Sequence, residues 1–173
     1  LDSTLNRLTD RWLWAIRQRL GEVITPAEVT TWDRLADEKY LSLLKEPGFF
    51  LWLGVEPGSQ QTIQMLQTDG HELRVITIAH ENSELVKADK RTWLQRFFPF
   101  ISTDDIIFDG DKAKYAKPGH VLIDDGPHNI TAWRAAGGIG IIYDQPWNRH
   151  LDGYRIKAWH ELALLLQRIE AAA

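Results

Sequence analysis

The chain has no cysteine. That excludes disulfides, thiolate-bound zinc and thiol catalysis, and it fits a reducing compartment without demanding one. It also has no uninterrupted apolar run of the roughly 18 residues that a membrane-spanning helix needs. No basic excess is present: the net charge is −4, with 20 Lys and Arg against 24 Asp and Glu. A polymer of nucleic acid normally meets a basic footprint, so a nucleic-acid partner is not expected. A small phosphorylated ligand is still open, because one metal ion and one or two Lys can invert the local potential. No internal repeat, Gly/Ser linker or signal peptide is visible, and the cytoplasm is the expected location. What remains is ordinary for a globular domain of 173 residues, with 44% hydrophobic and 25% charged residues,. Eight Trp is a high count. Most belong in a core, but some could form a flat aromatic pocket.

The most informative stretch is Val121-Leu122-Ile123-Asp124-Asp125, followed at once by Gly126 and Pro127. The apolar run reads as a buried strand. Two carboxylates at its end are costly unless something cationic meets them. The carboxyl ends of parallel strands are where α/β folds place ligands. Asp124 and Asp125 therefore suit a hard divalent cation such as Mg2+, which prefers carboxylate oxygen and water. The alternative is an acidic turn that caps a helix over 128–136.

The elements alternate along the chain. A helix is predicted over 5–20, where Leu5, Leu8, Trp12, Ile16 and Leu20 share a face and Gly21 stops it,. Thr25-Pro26 is a helix start, and short helices are expected over 26–37 and 39–45. Glu46-Pro47-Gly48 breaks the chain ahead of the apolar run Phe49-Phe50-Leu51-Trp52-Leu53. Another helix opens at Pro57 and reaches about Thr68. A strand at 73–78, a helix at 83–98, a short strand at 105–108 and a Lys-containing loop at 110–119 follow. Then come the strand at 121–124, a helix through Trp133, a strand at 139–143 and a last helix over 159–170. Such alternation implies an α/β fold, a Rossmann-like parallel sheet flanked by helices on both faces. Residues 1–21 and 57–173 would form the core, and 22–56 a small helical cap inserted after the first strand. That first strand would precede Leu1, because Asp2-Ser3-Thr4 reads as the tail of an Asp-x-Asp-x-Thr motif. A helix cap is the plainer reading of the same three residues.

Asp2, Thr77, Lys112 or Lys114, and Asp124 with Asp125 each lie near the carboxyl end of a strand, so all can meet at one edge of the sheet. Carboxylates there could attack phosphorus, protonate a leaving oxygen and hold Mg2+, while a hydroxyl and a Lys held the phosphoryl oxygens. Each residue alone has an ordinary reading. Thr77 is a common β residue, the Lys are solvated loop charges, and the aromatic run is core. His80, His120, His128 and His150 have no metal-like spacing.

The order of these residues resembles the haloacid-dehalogenase superfamily of phosphohydrolases, and more specifically its 5′-deoxyribonucleotidases. The matching pieces are Asp2-Ser3-Thr4, Thr77 after Val75-Ile76, Lys112 in Asp111-Lys112-Ala113-Lys114, and Asp124-Asp125. Pro47-Gly48-Phe49-Phe50-Leu51, Glu56-Pro57-Gly58 and Tyr143-Asp144-Gln145-Pro146-Trp147-Asn148-Arg149-His150 extend the likeness over nearly the whole chain. The resemblance implies Mg2+-dependent hydrolysis of nucleoside 5′-monophosphates through an aspartyl phosphate on an Asp just before Leu1. It implies Asp2 as general acid and, through its backbone carbonyl, as metal ligand with Asp124 and Asp125. Thr77 would hold the phosphoryl group and Lys112 would neutralise it, with Lys114 a competitor. Phe49, Phe50 and Trp52 would wall a base pocket beside Ile78, a position where relatives often carry a hydroxyl. The expected partner is a small nucleoside monophosphate, and a homodimer is an admissible assembly. Two alternatives stay open: a phosphatase for another small phosphoester, and a binding module on the same fold without catalysis. As the sequence stands, beginning at Leu1, the chain is expected to be inactive.

Overall fold

A computed structural model describes residues 1–172. Six α-helices and five strands alternate among them: α1 (Leu8–Leu20), α2 (Glu38–Leu41), α3 (Ser59–Thr68), β1 (Val75–Thr77), α4 (Glu84–Phe97), β2 (Ile106–Phe108), β3 (Val121–Asp124), α5 (Pro127–Ala135), β4 (Ile139–Tyr143), β5 (Arg155–Ile156) and α6 (Leu162–Ala171). All strand pairs are parallel, and the strands are flanked by helices. The chain is thus a mixed α/β fold, as the alternation of elements predicts. No helix among the described residues is long and apolar enough to cross a membrane.

Local chemistry explains the ends of these elements. Gly21 takes φ of 71° and closes α1 with its N–H on the Arg17 carbonyl, the left-handed stop that a side chain would strain. Ser83 caps α4 by accepting the Val86 N–H. Pro127 begins α5, where its missing N–H costs nothing,. α4 turns Val86, Trp93 and Leu94 into the core, together with two charged residues, Asp89 and Lys90.

The structure departs from the sequence reading at several elements. α1 starts at Leu8 rather than at residue 5; residues before it form turns, and Asn6 bridges Val55 in antiparallel fashion. The helices expected over 26–37 and 39–45 shrink to single turns at Pro26–Glu28, Glu38–Leu41 and Ser42–Lys45. The Lys-bearing loop contains a 3-10 turn at Lys112–Tyr115. Finally, β5 was not expected; two residues are too few to carry a periodic signal,.

The strands form two sheets, β1-β2 and β3-β4-β5. Between the facing edges of β1 and β3 lies a void of about 710 Å³, lined by Val75, Ile76, Val121 and Ile123, by Ile63 and Leu66 of α3, by Leu166 and Ile169 of α6, and by Leu1. Segment 22–56 is tied to the helices around it. The Trp12 indole donates to the Tyr40 carbonyl at 2.8 Å, Asp89 accepts the Gly48 N–H at 3.0 Å, and the Trp93 indole donates to the Leu53 carbonyl at 2.8 Å.

Candidate active site

The carboxyl ends of β1 and β3 gather the charged residues. β3 ends in Asp124, and Asp125 follows it; both are buried. Although adjacent, they meet different surroundings. Asp124 accepts the Lys112 ammonium at 2.5 Å, the Gly126 N–H at 2.8 Å and the Asn129 amide at 2.9 Å. Burial alone would raise its pKa, but the Lys112 charge, the Leu1 amino group and the hydrogen bonds from Lys112 and Asn129 together outweigh burial and hold it below the usual carboxylate range,. The Asp125 carboxylate accepts a hydrogen bond from Thr4 Oγ1 at 3.1 Å. Burial and the neighbouring Asp124 push it up to about 7.

Opposite them, Thr77 ends β1 and is buried. Its hydroxyl donates to Asp2 Oδ2 at 3.3 Å, and Asn6 Nδ2 donates to Asp2 Oδ1 at 3.1 Å. The turn that presents Asp2 requires Ser3 to take φ of 51°, uncommon for a residue with a Cβ,. The Ser3 N–H on Asn6 Oδ1 fixes it at 3.2 Å. Asp2 also pairs with the Lys90 ammonium. Burial would raise the Asp2 pKa, yet the Lys90 charge, with help from the Leu1 amino group and the Asn6 amide, lowers it.

Asp2, Thr77, Lys112, Asp124 and Asp125 are thus linked to one another through direct contacts and through Thr4. Thr4 Oγ1 lies 3.1 Å from Asp125 Oδ1 and 3.2 Å from the Asp2 carbonyl. Lys114 does not join them. It pairs with Asp109 at the surface, where its side chain is half exposed. The aromatic trio is split. Phe50 lies under the Lys90 ammonium, 4.6 Å from ring centre to nitrogen, and so borders the cluster. Phe49 is buried edge-on to Phe50 and faces Arg11. Trp52 is 67% exposed. Ile78 is exposed, and its carbonyl accepts Lys90.

Sequence reasoning missed two neighbours. Lys90 reads as a solvated charge on a helix, since helical spacing gives no hint of partners so distant in sequence. Trp32, from segment 22–56, is half exposed and stands edge-on to His128 at 4.8 Å and to Trp147 at 6.4 Å. Its place after the first turn of that segment gave no periodic signal. The Pro146-Trp147-Asn148 turn holds the backbone of the site: the Trp147 indole and the Asn148 amide both donate to the Asp125 carbonyl, at 3.1 and 2.9 Å.

Among the described residues, no three His, Asp or Glu side chains converge as a metal site. A hard cation there would be held by Asp124, Asp125 and the backbone carbonyl of Asp2, with water completing the shell. The donor set fits such an ion. Three buried or half-buried carboxylates, Asp2, Asp124 and Asp125, lie near the Lys90 and Lys112 ammoniums and the buried Leu1 amino group. Asp125 forms no salt bridge among the described residues and accepts only the Thr4 hydroxyl.

The chain matches a family model described as "5' nucleotidase, deoxy (Pyrimidine), cytosolic type C protein" over residues 1–172. It is 29% identical to a 5'(3')-deoxyribonucleotidase of Clostridium acetobutylicum, across 98% of this chain and 93% of that protein. It is 27% identical to a 5'(3')-deoxyribonucleotidase of Bacillus subtilis, across 94% and 92%. A putative 5'(3')-deoxyribonucleotidase of Staphylococcus aureus is 31% identical over 69% of this chain and 63% of that protein. A match from end to end, on a parallel α/β frame with paired carboxylates at the strand ends, places the chain in the family of cytosolic type C 5′-nucleotidases, hydrolases of the haloacid-dehalogenase type.

Proposed function

We propose that the protein hydrolyses nucleoside 5′-monophosphates, deoxynucleotides foremost, with Mg2+ and through an aspartyl phosphate. The names of the relatives support the substrate class. The observation that carries the chemistry is the cluster itself: Lys112 on Asp124, and Thr77 on Asp2, gathered at the carboxyl ends of two parallel strands. When bound by Asp124, Asp125 and the Asp2 carbonyl, Mg2+ supplies positive charge to the phosphoryl oxygens.

The chain's own residues do the rest. Thr77 donates its hydroxyl to a phosphoryl oxygen, and Lys112 offsets the charge that grows there. In this reading the nucleophile is the first carboxylate of the Asp-x-Asp-x-Thr motif that Asp2-Ser3-Thr4 would continue. Asp2 gives its proton to the departing 5′ oxygen, then takes one from the water that cleaves the intermediate. The low pKa of Asp2 beside Lys90 opposes the first of these steps. An arriving phosphate brings negative charge close to Asp2 and raises its proton affinity when the proton is needed. Phe50 and Trp32 supply aromatic faces beside the cluster for a nucleobase.

A panel of phosphate esters assayed side by side on the full-length protein tests this reading. Nucleoside monophosphates should exceed glycerol and hexose phosphates by at least about tenfold in kcat/KM, which is about 1.4 kcal/mol and within the worth of one stacked base. Asp125→Asn should abolish the Mg2+-dependent turnover without unfolding the protein. Equal efficiency on sugar phosphates would leave a phosphatase for other small esters. The exposure of Trp52 and the burial of Phe49 favour that second reading.

A further inference from the structure

Lys90 is a charged residue where the fold would accept an apolar one. It sits on the buried face of α4 with Val86, Trp93 and Leu94, and only 3% of its surface is exposed. Burying an ammonium is expensive unless its donors are all satisfied. Here they are. Lys90 Nζ donates to the Asp2 carboxylate, to Thr77 Oγ1 at 3.2 Å and to the Ile78 carbonyl at 2.6 Å, while its fourth side rests over the Phe50 ring. An ammonium carries three donors, and these acceptors use all of them. A Met would fill the same space without the desolvation cost. The charge is therefore explained by what it touches, not by packing.

What it touches is one carboxylate, fixed from both ends. Asp2 Oδ2 meets Lys90 and Thr77, and Asp2 Oδ1 meets Asn6 Nδ2. Without Lys90, Oδ2 would keep only the long 3.3 Å bond from Thr77, and the carboxylate could turn away. We propose that Lys90 is a positioning residue: it holds the Asp2 carboxyl group against Thr77, aimed at the leaving oxygen of the ester. The inference rests on the reading of Asp2 as proton donor.

The step it serves is a phosphoryl transfer. The bond from phosphorus to the nucleoside 5′ oxygen breaks, a bond from phosphorus to the nucleophilic carboxylate forms, and the Asp2 proton passes to the leaving oxygen. Asp2 is left ionised beside Lys90. A sugar alkoxide leaves badly without that proton, whereas p-nitrophenolate leaves well without it. Loss of Asp2 positioning therefore has a signature that loss of phosphate binding or of folding lacks.

The test compares kcat/KM for a deoxynucleoside 5′-monophosphate and for p-nitrophenyl phosphate in the full-length protein and its Lys90→Met variant. This ratio reports the transfer step and not the later hydrolysis of the intermediate. We expect a loss of about 10²-fold or more on the nucleotide, the usual worth of a placed general acid, and less than about tenfold on p-nitrophenyl phosphate. Equal losses on both esters would overturn the proposal and make Lys90 a phosphate-binding or structural residue. A crystal structure of Lys90→Met gives the second measurement. The Asp2 carboxylate should leave Thr77 there; if it stays, the positioning role is wrong. A parent protein inactive on both esters counts against the phosphatase reading alone, and the crystal structure still decides what Lys90 does.

Discussion

Two neighbouring aspartates with opposite pKa shifts are the clearest case of a residue governed by its surroundings. Asp125 is pushed from 3.8 up to about 7, first by burial and then by Asp124. Its folded pKa is thus above its unfolded one, so between about 4 and 7 the native state binds more protons than the unfolded state. Stability conferred by that proton is complete below the unfolded pKa and is lost as pH rises through the folded one. In EDTA, the fall in melting temperature across that window should be smaller in Asp125→Asn than in the parent protein. A pH dependence that Asp125→Asn leaves unchanged would contradict the assignment. Lys112 and Lys114 supply a second contrast. Lys112 and Asp124 have side chains 10% and 3% exposed, whereas Lys114 lies half exposed on Asp109. Lys112→Met should cost about 10² to 10³ in turnover, the worth of one fixed charge beside a transferring group. Lys114→Met should cost less than about tenfold. The reverse order would move the phosphate-binding lysine two places along the loop.

At the scale of an element, the 3-10 turn Pro146–Asn148 acts as a clamp between β4, β5 and the site. Asn148 is fully buried, and its amide donates to the carbonyls of Asp125 and Tyr143 at 2.9 and 2.8 Å. Its oxygen accepts the Gln145 N–H at 3.1 Å and Arg155 at 2.8 Å, and Arg155 in turn pairs with Asp144. Asn148→Ala would leave several buried partners unmatched, each worth about 1–3 kcal/mol. A loss of about 2–4 kcal/mol in urea unfolding is expected, placed there by the same bonds. A loss under about 0.5 kcal/mol, the usual size for a surface change, would mean that the turn is held by Trp147 and Pro146 instead.

The whole molecule is divided by the void between β1 and β3. The Thr77 carbonyl accepts the Asp109 N–H on the β2 side, and the His120 carbonyl accepts the Ile139 N–H on the β4 side. Alternation along a strand then turns the backbone groups of Ile76, Val121 and Ile123 toward the void. Unpaired edge groups exchange faster than laddered ones. In the chain beginning at Leu1, the amides of Ile76 and Ile123 should exchange at least about tenfold faster than that of Ile141, which lies in the β3-β4 ladder,. Equal protection would mean that the two sheets close on each other in solution.

The sequence by itself determined the order of β1 to β4 and of the longer helices around them, and the run that delivers Asp124 and Asp125 to a strand end. Hydrophobic period and caps are local: Ser83 starts α4 through a residue three places away, and Val121 to Ile123 need no distant partner to read as a strand. Motif order alone also singles out Asp2, Thr77 and Lys112, without any contact between them. The tertiary structure alone decided how those residues are charged and held. Asp124 and Asp125 are the same residue side by side; Lys112 and Asn129 reach one, and Thr4, from 121 positions away, reaches the other. Lys90 meets Asp2 across 88 positions, and Trp32 reaches His128 only because segment 22–56 folds back. Charge and aromatic contact depend on distance in space, and helical or strand period carries no record of it.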